Sequence, residues 1–215
     1  AITEWNMFLK DTYQPIDRTI ECAIFTTQWM VGILNGEMNG NFNFNYAEQF
    51  ALHGGNLSLI SVYGEPHRVI SPTAYVFKGF KPWVNMELLP LIIESPEELA
   101  YDKEIELIQT AVSRNITGDT LRMVITNNSE IDTIRCNLDL ENFNYNTIQI
   151  QKLTGENYFS NNDIDANNVT LISEYLYIND NLLFIPPHSV NFLTLFYSEL
   201  LGDINQDGEV NILDI

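Results

Sequence analysis

The sequence predicts a mixed chain: a parallel α/β stretch over residues 1–85, an antiparallel β-sandwich over 86–200, and a calcium-loop tail over 201–215. Three observations carry this. Strand-like and helix-like hydrophobic patterns alternate through the first stretch, the order of a parallel α/β fold. Short alternating runs then recur at about ten-residue spacing, with Asn, Gly and Asp between them, the mark of a sandwich. The tail reads Asp-x-Asn-x-Asp-Gly, a spacing of oxygen donors that suits calcium.

Composition bounds the rest. With 215 residues the chain can hold one large or two modest domains, and 45% hydrophobic content with 12% aromatics supplies a core. The 29 acidic residues outweigh 10 basic ones, for a net charge of −19. That balance excludes a nucleic-acid binder, whose affinity comes from clustered Lys and Arg, and fits solubility outside a cell. No apolar run reaches the roughly 18 residues of a membrane-spanning helix. Cys22 and Cys136 lack metal-ligand spacing, and Cys22 falls in a helical apolar pattern that predicts a small core residue. The chain opens without Met inside a strand pattern and stops where a helix is due, so it is expected to be an internal or C-terminal piece of a longer protein.

The first strand pattern, Ile2-Thr3, runs into Glu4, Trp5 and Asn6. A carboxylate at the C-terminal mouth of a buried strand is where a barrel enzyme keeps its chemistry. Trp5 offers an apolar wall and a sugar-stacking face, and Asn6 a hydrogen-bonding amide. Ile20, Ala23, Ile24, Met30, Val31 and Leu34 next mark one face of a helix, with Asp17 as N-cap and Gly36 as stop. Gly36 to Asn45 reads as a loop, whose Phe42 and Phe44 are either apolar plugs, the favoured reading, or platforms for a sugar. A second strand is predicted over Asn56–Tyr63, and a second helix from Ser71-Pro72, a hydroxyl cap followed by Pro at the first helical position, to Gly79. Two such units cannot close a barrel, which needs eight.

In their order, Thr3-Glu4-Trp5-Asn6, the long helix, Asn56-Leu57-Ser58 and Ser71-Pro72-Thr73-Ala74-Tyr75-Val76-Phe77 resemble the last two βα units of the (β/α)8 barrel in family 51 α-L-arabinofuranosidases. In that family the seventh strand ends in Asp-Glu-Trp-Asn and its Glu is the nucleophile of a retaining mechanism. The resemblance therefore implies that Glu4 is the nucleophile, with Trp5 and Asn6 on the substrate. Thr3 stands where the family usually has Asp, and Leu59 where it typically has a sugar-contacting Gln, which leaves xylan and other plant glucans open as substrates. Retaining hydrolysis needs a second carboxyl about 5 Å away to protonate the leaving oxygen. The resemblance puts that acid on the fourth strand, upstream of Ala1, and no local acid replaces it: Glu37 and Glu48 read as lying in or beside a loop, and Glu65 as following the next strand. Turnover by residues 1–215 alone is not expected.

From 86 the sequence passes through a Pro- and Glu-containing linker into strand patterns at 107–112, 121–125, 133–138, 147–153, 182–185 and 191–197, with Pro186-Pro187-His188-Ser189 as a rigid corner. This half, including Leu153-Thr154-Gly155 and that corner, resembles the C-terminal sandwich of the same family. It shows no evident row of exposed aromatics, so a packing role is favoured over a separate carbohydrate-binding module.

In the tail, Asp203, Asn205 and Asp207 take positions 1, 3 and 5 of a calcium loop, with Gly208 at the turn, the Glu209 carbonyl at 7, Asn211 at 9 and Asp214 at 12. Asp at position 12, with no helix before the loop, resembles the first repeat of a dockerin, which docks a cohesin on a scaffold protein. The resemblance implies a secreted, cellulosome-targeted parent acting on plant cell-wall polysaccharide, with calcium bound weakly by the single loop. The alternative is a non-catalytic cellulosomal binding or structural subunit.

Overall fold

The computed structural model describes residues 2–5, 18–41, 47–49, 52–54, 59–62, 68–100, 102–140, 143–177 and 181–197. In chain order the elements are β1 (Ile2–Trp5), α1 (Ile20–Met38), β2 (Ala47–Gln49), β3 (His53–Gly54), β4 (Ile60–Val62), β5 (Arg68–Ile70) and α2 (Pro72–Phe80). There follow β6 (Glu87–Leu89), β7 (Glu97–Ala100), β8 (Lys103–Glu106), β9 (Ile108–Arg114), β10 (Thr120–Asn127), β11 (Ile134–Asn137) and β12 (Tyr145–Thr154). The last are β13 (Asn162–Asp163), β14 (Ala166–Asn167), β15 (Leu171–Tyr177), β16 (Leu182–Ile185) and β17 (Ser189–Tyr197). The tail with Asp203, Asn205, Asp207, Glu209, Asn211 and Asp214 lies outside the described residues, as do Asn6, Phe42 and Phe44. No described helix is long and apolar enough to cross a membrane.

One antiparallel sheet of six strands, in the order β15-β12-β17-β10-β9-β6, is the centre of the molecule. Side chains alternate across a strand, so each strand serves two faces. On one face Ala111, Val124, Leu153, Val190 and Phe192 pack against Ile20, Ala23, Ile24 and Val31 of α1 and Val76 and Phe80 of α2. On the other, Val112, Met123, Ile125, Ile148, Ile150, Leu193 and Leu195 meet Leu183 and Ile185 of β16, which pairs with β11 in a second sheet. Because both faces are covered, β17 is buried without a break from Ser189 to Leu195, and its polar Ser189, Asn191 and Thr194 are buried along with its apolar residues. The helices thus share a core with the sheet, and the stretch read as a linker supplies β6 and the β7–β8 hairpin.

Several local expectations change. Asp17 is outside the described residues and the N-cap of α1 is Thr19, whose hydroxyl accepts from the Cys22 amide at 3.4 Å. Gly36 does not stop this helix; it is buried within it. The chain turns three residues later, where the Asn39 and Gly40 amides close on Asn35 and Glu37 and Gly40 takes φ +68°. Helix α2 starts at Pro72 as the Ser71-Pro72 signal predicts, yet Ser71 caps by position alone, since its buried hydroxyl finds no partner among the described residues. Cys22 is a buried thiol outside any disulfide, accepting from the Thr73 hydroxyl at 3.5 Å, and Cys136 is a half-buried thiol, also outside any disulfide.

The Pro186-Pro187-His188-Ser189 corner is held from several sides. The Ser189 hydroxyl donates to the Pro186 carbonyl at 2.6 Å, and the His188 amide to the Ser129 carbonyl at 3.3 Å. His188 is only 5% exposed, sits at φ +46°, and meets the Tyr158 ring edge-on at 4.2 Å. Burial lowers its pKa, against an opposing pull from the Glu130 carbonyl and carboxylate. The unfolded chain takes up this proton near pH 6.5, while the folded chain resists it until lower pH. Hence the His188 contribution is present above about 6.5 and is lost as pH falls. Denaturant unfolding of wild type and His188→Asn, a residue that tolerates left-handed backbone, is expected to give a stability gap that narrows between about pH 7.5 and about pH 5.5. Parallel curves would contradict this.

Candidate functional site

The strand carrying Glu4 pairs in parallel with β2, and α1 connects the two, a complete β–α–β unit. The pairing is irregular. Ile2 stands opposite Ala47 and Trp5 opposite Gln49, so three residue steps on β1 match two on β2, and the extra residue falls at Thr3-Glu4. Extra residues of this kind recur beside active sites, where they re-aim a side chain. Glu4 is the third of four residues in β1 and Trp5 the last.

The neighbouring strand differs from the sequence expectation. The partner of β1 is Ala47–Gln49, not Asn56–Tyr63. Ile60–Val62 instead forms the middle of a three-stranded sheet, β3-β4-β5, and Asn56 to Ser58 lie outside the described residues. Glu48 is therefore in a strand rather than beside a loop, and Glu37 lies in the last turn of α1. Glu4 and Glu48 occupy adjacent parallel strands, opposite the irregular step. Leu59 is buried, with its carbonyl accepting from the Ser71 amide at 2.9 Å, so it is a packing residue.

The end of the unit at which β1 stops is also the end at which α1 begins, because a helix joining parallel strands runs back against them. A segment of the sandwich crosses that end. The Ile20 amide donates to the Ser160 carbonyl at 2.9 Å and the Glu21 amide to the Tyr158 carbonyl at 3.3 Å. Together with Thr19, these carbonyls satisfy the amides that open α1, which have no partners inside the helix. Arg18, buried, pairs with Asp163 at 3.1 Å. Asn162, also buried, donates to the carbonyls of Ile70 at 3.0 Å and Val169 at 2.8 Å, and accepts from the Val169 amide at 2.9 Å. Residues 158–167 are thereby tied to α1 at its N-terminus and to the residue just before the cap of α2. Beside them Tyr158 donates its hydroxyl to the Asn128 carbonyl; burial, with the Glu130, Glu98 and Glu21 carboxylates, pushes its pKa up to about 12. Burial also raises the Glu21 carboxyl.

Sequence reasoning missed this clamp. Its only signal is the turn-rich run Ser160-Asn161-Asn162-Asp163, which reads as a plain loop. The roles of Asn162 and Arg18 rest on partners 92 and 145 residues away in sequence.

Solved structures share this fold. The GH51 arabinofuranosidase from Xanthomonas axonopodis pv. citri superposes with a TM-score of 0.76 at 16% identity, over 91% of this chain and 40% of its own. This chain shares the fold of that enzyme. The thermostable GH51 α-L-arabinofuranosidase from Thermotoga petrophila RKU-1 gives 0.70 at 17% identity, over 90% and 42%. A β-porphyranase of glycoside hydrolase family 86 from Bacteroides plebeius gives 0.59 at 13% identity, over 92% and 34%, so the likeness extends beyond one family. The chain spans less than half the length of these enzymes, and its mostly β body matches the C-terminal β-sandwich of the GH51 group. No protein-family model and no curated protein matches the sequence.

Proposed function

We propose that this chain is the C-terminal part of a secreted retaining glycoside hydrolase acting on plant cell-wall polysaccharide, arabinofuranosidase-like, with Glu4 as nucleophile. The observation that carries the reading is the position of Glu4: in the irregular step of a parallel strand, at the end that feeds a helix, in a chain with the fold of these hydrolases. A carboxylate there attacks the anomeric carbon and expels the leaving sugar, whose oxygen takes a proton from a second carboxyl. Water then releases the glycosyl group with that second group acting as base. Trp5 gives the sugar an apolar face, and Asn6 hydrogen-bonds a hydroxyl as charge develops. The second carboxyl belongs to residues upstream of Ala1. The test is to express residues 1–215 alone and joined to the sequence preceding them in the parent gene. The longer protein is expected to cleave an aryl arabinofuranoside and the 215-residue chain to leave it intact; equal turnover by both would refute the division of the site.

The tail extends the reading to a cellulosome. Asp203, Asn205, Asp207, Asn211 and Asp214 with the Glu209 carbonyl form an all-oxygen donor set, the chemistry calcium selects over softer ions. A cohesin is the partner proposed for the parent's complete dockerin. Terbium, which replaces calcium and reports by luminescence, is expected to bind the chain weakly and to be displaced by calcium. Asp207→Ala should remove the signal; an unchanged signal would place the ion elsewhere.

A further inference from the structure

A cleft of about 360 Å³ opens between the β13–β14 hairpin and the junction of β5 with α2, lined by Arg68, Ile70, Tyr75, Asp163, Asp165 and Asn167. We propose that it binds a neutral sugar unit of the substrate, beyond the unit held at Glu4; this rests on the hydrolase reading above. Its place in the fold is the first argument. The hairpin lies across the N-terminal ends of α1 and α2, the end of the β–α–β unit at which Glu4 stands, so a polysaccharide leaving the catalytic position can run over it.

Rigidity is the second. Asn162 anchors the hairpin by three hydrogen bonds, and the Asp163 carboxylate is held by Arg18 and by the Ile164 amide at 2.8 Å. A site prepared in advance loses little entropy on binding. Chemistry is the third. The exposed Asp165 carboxylate accepts from hydroxyls, the exposed Asn167 amide both donates and accepts, and the Arg68 guanidinium donates. The half-buried Tyr75 adds a ring that can stack on the apolar face of a sugar. Arg18 offsets Asp163 and Arg68 offsets Asp165, so the cleft carries no net charge and suits a neutral sugar. Among the described residues no group of three or more His, Cys, Asp or Glu gathers to hold a metal. The volume is near the lower end of the roughly 300–1,000 Å³ of small-molecule sites, the scale of a sugar unit rather than a chain.

Amide NMR spectra of the 215-residue chain titrated with xylotetraose and with arabinotetraose test this. At least one is expected to shift the amides of residues 68–70, 75 and 163–167 saturably. Asp165→Ala and Asn167→Ala are each expected to weaken that titration about tenfold or more with an unchanged Tm, both side chains being exposed. No saturable shift with either sugar, shifts confined to other residues, or equal affinity in both variants would overturn the proposal. The hydrolase reading stands or falls separately, on Glu4→Gln in the longer enzyme, because the cleft titration leaves Glu4 untouched.

Discussion

Phe192→Ala is expected to lower the unfolding free energy by about 3–5 kcal/mol, the range for emptying a buried aromatic site. Phe192 is 4% exposed and projects from β17 into the layer between the six-stranded sheet and the helices, where its ring meets Phe80 edge-on at 5.3 Å. The close approach of α2 depends on Gly79. A β-carbon there would lie 2.3–2.5 Å from three atoms of the Phe192 ring, far inside contact distance, and Phe80 prevents the ring from swinging away. Gly79→Ala gains about 1 kcal/mol of helix propensity but overpacks a closed interface at a cost of about 1–3 kcal/mol, so it too should destabilise. The two positions touch, so their effects should not add. The double variant should lose less than the sum, because the first substitution removes the ring that the new methyl strikes. Denaturant melts of the four proteins check this; strict additivity would mean that α2 does not rest on β17 in this way.

Glu4→Gln should reduce turnover by the longer enzyme at least about a thousandfold, the scale on which removing a covalent nucleophile disables an active site. The amide keeps the size of the carboxylate but cannot form the glycosyl ester, so the loss should appear in kcat with KM little changed. Glu48→Gln is the instructive comparison. Glu48 stands on the adjacent parallel strand, opposite the irregular step that contains Glu4, yet the proposed mechanism draws its acid from an upstream strand. A loss at Glu48 equal to that at Glu4, with the alkaline limb of the pH profile abolished, would instead make the two glutamates the catalytic pair.

How far the sequence revealed this depended on what each strand buries. The runs at 121–125, 147–153 and 191–197 were legible because β10, β12 and β17 occupy the middle of the sheet and carry apolar residues to one or both faces. The β7–β8 hairpin was not, because β8, Lys103-Glu104-Ile105-Glu106, is exposed along its length and is held by its backbone ladder, which leaves no hydrophobic period to read. The edge strand β15 was missed for a related reason: Ile172, Ser173 and Tyr175 are exposed and Asn-rich segments flank it. Helix α1 was recognisable from its buried stripe, but its end was misplaced because Gly36 packs inside the helix and the left-handed turn falls to Gly40.

The candidate site was legible to the same degree. Glu4 at the end of a β-branched strand pattern was apparent, whereas β2 is three residues long, shows no period, and follows a Gly- and Asn-rich run that conceals it. Nothing local to Arg18 or Asn162 signals that they fasten the sandwich across the ends of both helices, because each acts through partners distant in sequence.

Chemical rescue tests the central assignment most directly. In Glu4→Ala of the longer enzyme the nucleophile is replaced by a space that azide can enter, with the acid/base still in place to protonate the leaving group. Azide is expected to restore turnover of an aryl glycoside and to yield a glycosyl azide of inverted anomeric configuration. Full activity of Glu4→Ala without azide, or an azide product of retained configuration, would contradict Glu4 as the nucleophile.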